Sequence, residues 1–485
     1  MTQSEEIIYL REVVQTLLLK IEELTAENAS LRTRLNQNSS NSSRPPSSDV
    51  YRKKSHTSIL ADGVDKKPRG GQVGHKGKTL LQVEKPDFVE EHKPEVCTCG
   101  HCFDESSGYE FLSKRQVFDI PPPKIAVYEH RIFGALCPAC GQKNRAEFPA
   151  GVTNPTQYGD RMKSFVTLLG VHSNVPIAKI SRVTEVLYGV PLNGGTIVSF
   201  YRDFSDKLEA TEKIIQQHIA ASCVVNADET GIRIDNKTNW LHTCSTERFT
   251  YLFPHAKRGM EAIEAGAAFL KDFSNWLIHD CWASYFKLKS PKHGACNAHF
   301  LRELQAVILV LCLHCVQHTC TKYTVENDNR VWAKMMKELL IKLNQMPFDE
   351  RVENQVKLTQ EYDDICTLAR IEDPEPDPVN RPGKKGRIKK PKSTNLLERF
   401  IKYKDNVLAF AFNKEVPFTN NQAERDLRVA KIKMKVSNCF RSFDGATWYA
   451  RIAGFISTVQ KHGRNIFDEI LNTLLGQNFL VEVGR

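Results

Sequence analysis

The sequence predicts a multidomain α+β chain: an N-terminal coiled coil, a zinc ribbon, a helical helix-turn-helix-like domain, and an α/β catalytic core split by a helical insertion. Three observations predict it. A seven-residue apolar repeat fills the first 37 residues. Cysteines pair up near residues 100 and 140. Two short β-forming runs, Cys223-Val-Val-Asn-Ala-Asp228 and Trp276-Leu-Ile-His-Asp280, each end on an aspartate.

The bulk numbers set bounds. At 485 residues the chain is too long for one core, and about 150 residues per domain implies three or so. A hydrophobic fraction of 41% supports globular folding, and a net charge of +10 with a pI near 8.8 points to a polyanionic partner. Met1–Arg11 is acidic rather than a basic region leading into an apolar stretch, so no secretory signal is expected. The apolar stretch Ala306–Val316 is too short to span a bilayer and contains His314. A cytosolic location follows, in which the 14 cysteines are mostly thiols or metal ligands rather than disulfides.

In residues 1–37, Ile7, Val14, Ile21, Asn28 and Leu35 occupy one heptad seam, and Leu10, Leu17, Leu24 and Leu31 the other. Mainly β-branched residues at a, leucine at d and one Asn at a favour a parallel two-stranded coil with a fixed register. A helix packed on its own domain is the alternative. The break at Asn36–Ser48 isolates the helix and favours self-association, as a homodimer or higher oligomer. Residues 38–90 read as a disordered basic linker. Asn36–Asp49 is Ser/Asn-rich and Pro-broken, and Tyr51–Leu81 carries eight Lys/Arg against two Asp. That charge reads equally as a solvated linker and as a phosphate-tracking arm.

Residues 91–145 hold Cys97-Thr-Cys99-Gly-His-Cys102 and Cys137-Pro-Ala-Cys140-Gly141, two knuckles suited to a tetrahedral Zn²⁺ site. Four of the five cysteines complete such a site, and which of Cys97, Cys99 and Cys102 is spare stays open. Gln116–Val127 and Glu129–Ala135 fit short ribbon strands. Residues 146–218 read as helical, with Arg161–His172, then Ile177–Tyr188 and Gly195–Phe204 flanking Gly189-Val-Pro-Leu-Asn193. This is a helix-turn-helix outline, and two ordinary packed helices fit equally.

From Ala220 the pattern is strand, Asn239–Ser245, Arg248–Phe253, helix Met260–Leu270, then the Asp280 strand. Three strands, a helix and a fourth strand are how a ribonuclease-H-like core begins, here over 219–300. A helical insertion with a basic loop, Arg381–Lys392, covers 301–394; the core resumes over 395–465, and 466–485 forms a C-terminal helix and tail.

Asp228 and Asp280 end apolar runs, so their oxygens face a cleft at strand ends. Glu424 sits at a helix start, Thr419-Asn-Asn-Gln-Ala-Glu424, where Thr419 and Gln422 fit a capping box and Ala423, Leu427, Ala430 and Met434 mark a buried face. Two strand-borne aspartates and a helix-borne glutamate suit two divalent ions about 3.5–4 Å apart, the arrangement that cuts and joins phosphodiesters. Strand-end aspartates are also common turn formers, so the triplet draws its weight from the rest of the chain. Arg428, Lys431 and Lys435 continue the Glu424 stripe as candidate phosphate contacts, and His299 and Arg302 lie on the helix that begins near Asn297. Cys312, Cys315, His318 and Cys320 imitate a second zinc site, but an apolar helical stretch without turn residues favours core packing.

These residues resemble the transposases of the bacterial insertion sequence 66 family nearly end to end. Asn41-Ser-Ser-Arg-Pro-Pro-Ser-Ser-Asp49, Gly70-Gly-Gln-Val-Gly-His-Lys-Gly77, Arg115-Gln-Val-Phe-Asp-Ile-Pro121 and Gln157-Tyr-Gly-Asp-Arg161 carry the resemblance. So do Asp228-Glu-Thr-Gly231, Cys296-Asn-Ala-His299-Phe-Leu-Arg302 and Asn420-Asn-Gln-Ala-Glu424-Arg. The resemblance implies a DDE-type core with Asp228, Asp280 and Glu424 as its carboxylates. One Mg²⁺ would lie on Asp228 and Asp280 and another on Asp228 and Glu424, with zinc structural only. It also implies DNA partners, namely element ends and target, and a nucleoid-associated protein; it admits accessory transposition proteins. The irregular first knuckle and the Cys-rich stretch at 306–320 depart from the family pattern. A non-catalytic, transposase-derived DNA-binding protein and a structure-specific nuclease on the same fold are the competing readings.

Overall fold

The computed structural model describes residues 80–315, 330–374 and 390–480 together with Lys20, and the side chains of 309–315 lie outside that set. The heptad repeat, the basic arm, the Cys312–Cys320 group and most of the Arg381–Lys392 loop therefore fall outside the described residues. The chain divides into two compact units, residues 52–130 and residues 1–51 with 131–485.

In the first unit, the described residues 80–130 carry no strand or helix beyond an isolated bridge between Val96 and Cys102. The strand expected over Gln116–Val127 is absent. Pro121–Pro123 remove three backbone donors in succession, and Val117 and Ile120 stand exposed with no partner strand. At Gln116 a side chain supplies the local order instead. Gln116 accepts from the Val83 N–H and donates to the Val83 carbonyl, both at 2.7 Å.

The second unit opens on a short hairpin, β1 (Gly134–Leu136) and β2 (Lys143–Arg145). Four helices follow: α1 (Asp160–Thr167, extended by a π-turn over Leu168–His172), α2 (Ile177–Tyr188), α3 (Gly194–Lys207) and α4 (Glu209–Ala220). Gly189 ends α2 in the left-handed region at φ +71°, and the Asn193 side chain caps α3 by accepting from the Gly195 N–H. The helix-turn-helix outline is thus present, but α3 is not a free-standing element. Phe204 packs edge-on against Phe455, so part of α3 belongs to the main core.

That core is built on a five-stranded sheet. β3 (Val224–Ile234) and β4 (Lys237–Ser245) form a hairpin whose two loop residues, Asp235 and Asn236, both have positive φ, as a tight hairpin of this length requires. β5 (Thr250–His255) adds antiparallel to β4. After α5 (Met260–Gly266), β6 (Trp276–His279) pairs parallel with β3, and β7 (Lys292–Ala295) pairs parallel with β6. The order β5-β4-β3-β6-β7 is compatible with a ribonuclease-H-like core.

Strand periodicity divides the hydrophobic residues between two faces. On β6, Leu277 enters a core shared with α3, α4 and the C-terminal helices, whereas Ile278 enters one lined by the later helices. These are α6 (Asn297–Cys315), α7 (Val331–Gln345), α8 (Phe348–Glu353), α9 (Gln355–Glu372), α10 (Lys392–Lys402) and α11 (Lys404–Phe412). Trp332, Tyr362 and Phe400 share a cluster with Ile278 and Ala295, so the inserted helices cover one face of the sheet. On the other face lie α12 (Asn421–Ser437), α13 (Phe443–Lys461) and α14 (Ile466–Leu474). Gly454 lets α13 approach β5, since a Cβ there would lie 3.0 Å from the Thr250 carbonyl oxygen. No helix among the described residues is long and apolar enough to cross a membrane.

Candidate functional site

Asp228 does not end its strand, as the sequence pattern suggested; β3 runs six residues further, to Ile234. What ends near Asp228 is the pairing with β6, which covers only Val224–Asn226. The longer strand persists because β4 pairs with it from Asn226 to Ile234. Asp280 directly follows β6. The two aspartates therefore sit where neighbouring parallel strands separate, the position at which an α/β sheet opens a crevice. Asp228 Oδ1 accepts from the Glu229 N–H at 2.9 Å, and Asp280 Oδ1 from the Trp282 N–H at 3.0 Å.

Glu424 lies in the first turn of α12, whose buried face is formed by Ala423, Leu427 and Ala430 with Met434 packed against it. The expected capping box is absent. Asn420 is the cap, without a side-chain cap bond, and Gln422 donates to Asp426. The cap side chain is used elsewhere: Asn420 Nδ2 donates to the Ala227 carbonyl at 2.7 Å, and the Asn420 N–H meets Cys296 Sγ at 3.1 Å. The helix start is thereby tied to the residue before Asp228 and to the residue before α6.

The carboxylates press on one another. Burial, then the charges of Glu229, Asp280 and Glu424, holds the Asp228 carboxyl well above the ordinary carboxylate range. Burial and Glu229 raise Asp280 as well, against the opposing pull of His299 and Arg258. Asp228, Asp280 and Glu424 do not bring three ligand atoms within 4.8 Å of one another; among the described residues the group that does is Cys296, His299 and Glu424.

Arginines sit beside two of the acids. Arg302 Nη2 is 3.5 Å and His299 Nδ1 3.8 Å from Glu424 Oε1. Neither distance is a hydrogen bond, and both Glu424 Oε1 and His299 Nδ1 are buried without one. Burial and Arg302 lower the His299 pKa, which favours the neutral ring. Arg258 Nη2 is 3.8 Å from Asp280 Oδ2, while its Nε donates to Glu229 Oε1 at 2.6 Å. Tyr285, itself buried, donates to Glu229 Oε2 at 2.6 Å. A buried acceptor without a donor, next to acids that resist ionising together, fits a bound cation. Carboxylate oxygens are hard donors and suit a hard divalent cation.

Arg428 and Lys435 are exposed and Lys431 half-buried along α12. Asp426, the other acid on this turn, takes no part in the cleft. It is buried and accepts from Lys461 Nζ at 2.7 Å and from Thr250 Oγ1 at 3.2 Å. The Glu229–Arg258–Tyr285 group was missed by sequence reasoning. Its one signal was an acid inside a strand pattern directly after Asp228.

Each cysteine knuckle has its own turn. Cys137 C=O accepts from the Gly141 N–H at 2.8 Å, with Gly141 at φ +69°, and the Ala139 and Cys140 N–H groups lower the Cys137 thiol pKa. In the other unit, Cys97 C=O accepts from the Gly100 N–H at 2.8 Å, with Gly100 at φ +91°, and the Cys99 N–H lowers the Cys97 thiol pKa. Amides directed at a sulfur favour the thiolate that a metal takes.

Residues 155–448 match the family described as Transposase IS66 family. Residues 2–80 match a family of unknown function, DUF6444. No curated protein matches the chain.

Proposed function

The chain belongs to the transposase IS66 family, a family of DNA-cleaving transposases, and from that premise we propose that it acts by two-metal DDE chemistry. The reaction would cut the ends of an insertion sequence and join the freed 3′-hydroxyls to target DNA. The observation that carries this reading is the joint placement of Asp228 and Asp280 where β3 and β6 part, with the Glu424 helix pinned to Ala227 through Asn420.

Asp228, Asp280 and Glu424 would hold the divalent ions. When bound, two Mg²⁺ supply activation of the attacking oxygen and stabilisation of the leaving oxygen. The chain's own groups do the positioning. Glu229 is fixed next to Asp228 by the Arg258 and Tyr285 hydrogen bonds, which hold this end of β3 in place. Arg302 places positive charge 3.5 Å from Glu424 Oε1, and the neutral His299 ring lies 3.8 Å from the same oxygen, so both stand where a phosphate entering beside Glu424 would meet them. Arg428, Lys431 and Lys435 extend from that point along α12 and would track the DNA backbone. The cysteine knuckles would hold a structural Zn²⁺, and the N-terminal repeat would pair two chains so that two ends are handled together.

The test uses duplexes built from the DNA that flanks the reading frame on each side. Asp228→Asn, Asp280→Asn and Glu424→Gln should each abolish 3′-hydroxyl release while leaving end binding within about threefold of the wild type, because oxyanion and metal contacts act in the transition state. Wild-type cleavage by any of the three would remove that carboxylate from the proposed set.

A further inference from the structure

Trp282 stands two residues beyond Asp280 and remains 37% exposed. Its backbone is anchored to the cleft, because its N–H donates to Asp280 Oδ1 at 3.0 Å. Its ring is covered by the Arg258 guanidinium, centred 3.9 Å from the indole centroid. The same guanidinium lies 5.0 Å from the Trp240 ring. Arg258 is not free to move away, since Glu229 Oε1 holds its Nε at 2.6 Å. A planar cation fixed against an indole keeps that ring in one orientation. An exposed aromatic surface is therefore locked at a set distance from Asp280.

This placement answers an electrostatic difficulty. The cleft gathers Asp228, Glu229, Asp280 and Glu424, and their charges act on one another. A DNA backbone brought here meets repulsion wherever bound cations do not offset the acids. A nucleobase does not, because it is neutral and offers a π-face that stacks on an aromatic ring whatever its identity. A base in an intact duplex has both faces occupied, so only an unpaired or displaced base is able to stack on Trp282.

We propose that Trp282, backed by the Arg258 guanidinium, is a stacking platform for an unpaired nucleobase of the DNA strand that enters the acidic cleft. The inference rests on the reading of that cleft as the phosphodiester site. It makes Trp282 a binding residue of sequence-tolerant character that distinguishes opened DNA from closed DNA.

Fluorescence polarisation tests it with two labelled probes: a short duplex ending in an unpaired thymidine tract, and the same sequence fully paired. The wild type should prefer the tract-bearing probe. Trp282→Ala should lose about tenfold in affinity for that probe, the loss expected for one base stack, and bind the paired duplex as before. Trp282→Phe should retain most of the preference, and Trp282→Leu, which keeps apolar bulk without a π-face, should lose it. Melting curves identify any variant that fails to fold, and the Phe and Leu pair then carries the comparison. An undiminished preference in Trp282→Leu would overturn the platform, as would an equal loss on both probes by a folded variant. The cleavage reading fails separately: a wild type that never cuts end duplexes but shows the Trp282-dependent preference sinks that reading and keeps the platform. Cutting without the preference does the reverse.

Discussion

Asn420 and Ala227 lie 193 residues apart in sequence, yet the Asn420 side-chain amide donates to the Ala227 carbonyl at 2.7 Å. One hydrogen bond thus connects the residue next to Asp228 with the turn that bears Glu424. The Asn420 backbone N–H is held in turn by Cys296 Sγ, and the Asn297 N–H donates to the Phe418 carbonyl at 3.1 Å. The relative position of the acids depends on this small buried polar cluster rather than on direct contact between them.

Replacing Asn420 with Ala should therefore act on geometry more than on fold. The stranded Ala227 carbonyl costs about 1–3 kcal/mol, a buried unsatisfied acceptor's usual penalty. The half-saturating Mg²⁺ concentration for end cleavage should rise several-fold, since mutation of groups that orient metal ligands typically costs about tenfold or more. A titration of cleavage rate against Mg²⁺ checks this. An unchanged midpoint with a lowered melting temperature would reduce Asn420 to a packing residue.

The crowded acids make stability depend on pH with a definite sign. Asp228 and Asp280 titrate above the ordinary carboxylate range in the folded chain, so folding disfavours their ionised forms. That penalty is absent below the unfolded pKa, about 3.9, and grows as pH rises through the folded values. Asp228→Asn should remove part of it. The variant should melt above the wild type at pH 7 by about 2 °C or more, with a gap that closes as pH falls toward 4. Added Mg²⁺ should raise the wild-type melting temperature at neutral pH and leave the variant's nearly unchanged. Scanning calorimetry across pH, with and without Mg²⁺, measures all three.

Asp426 should behave in the opposite way. Its carboxylate and Lys461 Nζ form a buried pair at 2.7 Å, reinforced by Thr250 and Ser457. Asp426→Ala leaves the Lys461 ammonium buried and unpaired, at a cost of about 3 kcal/mol. Denaturant unfolding should record that loss, while the Mg²⁺ response of the remaining folded protein stays as in the wild type. A lost Mg²⁺ response in folded protein would return Asp426 to the list of metal ligands.

Metal analysis of the full chain purified under reducing conditions should find about one zinc per chain, as a four-ligand structural site requires. Cys137→Ala and Cys140→Ala should abolish it. Among the three cysteines of the first knuckle, Cys97→Ala should also abolish it, because the Cys97 sulfur is the one its own turn's amides favour as thiolate. Retention of zinc in Cys97→Ala with loss in Cys99→Ala would assign the knuckle the other way.

Periodicity and turn chemistry by themselves determined the elements of this chain. Short apolar runs of β-forming residues marked β3 and β6, the apolar stripe Ala423–Leu427–Ala430 marked the buried face of α12, and Gly189 marked the end of α2, because each is a short-range property of backbone geometry and solvent exposure. The motif order from Gln157 to Glu424 determined the family. Tertiary structure decided what those elements meet. That β3 outruns its pairing with β6 depends on β4, and so Asp228 opens onto a cleft from mid-strand. The capping box expected of Thr419 and Gln422 did not form at α12, because Asn420 takes the cap position and holds the Ala227 carbonyl while Gln422 turns to Asp426. Glu229, Arg258, Tyr285 and Trp282 became one network only when distant stretches of chain were brought together beside β3. A buried charge selects its partner by distance in space, and sequence spacing carries no record of that distance.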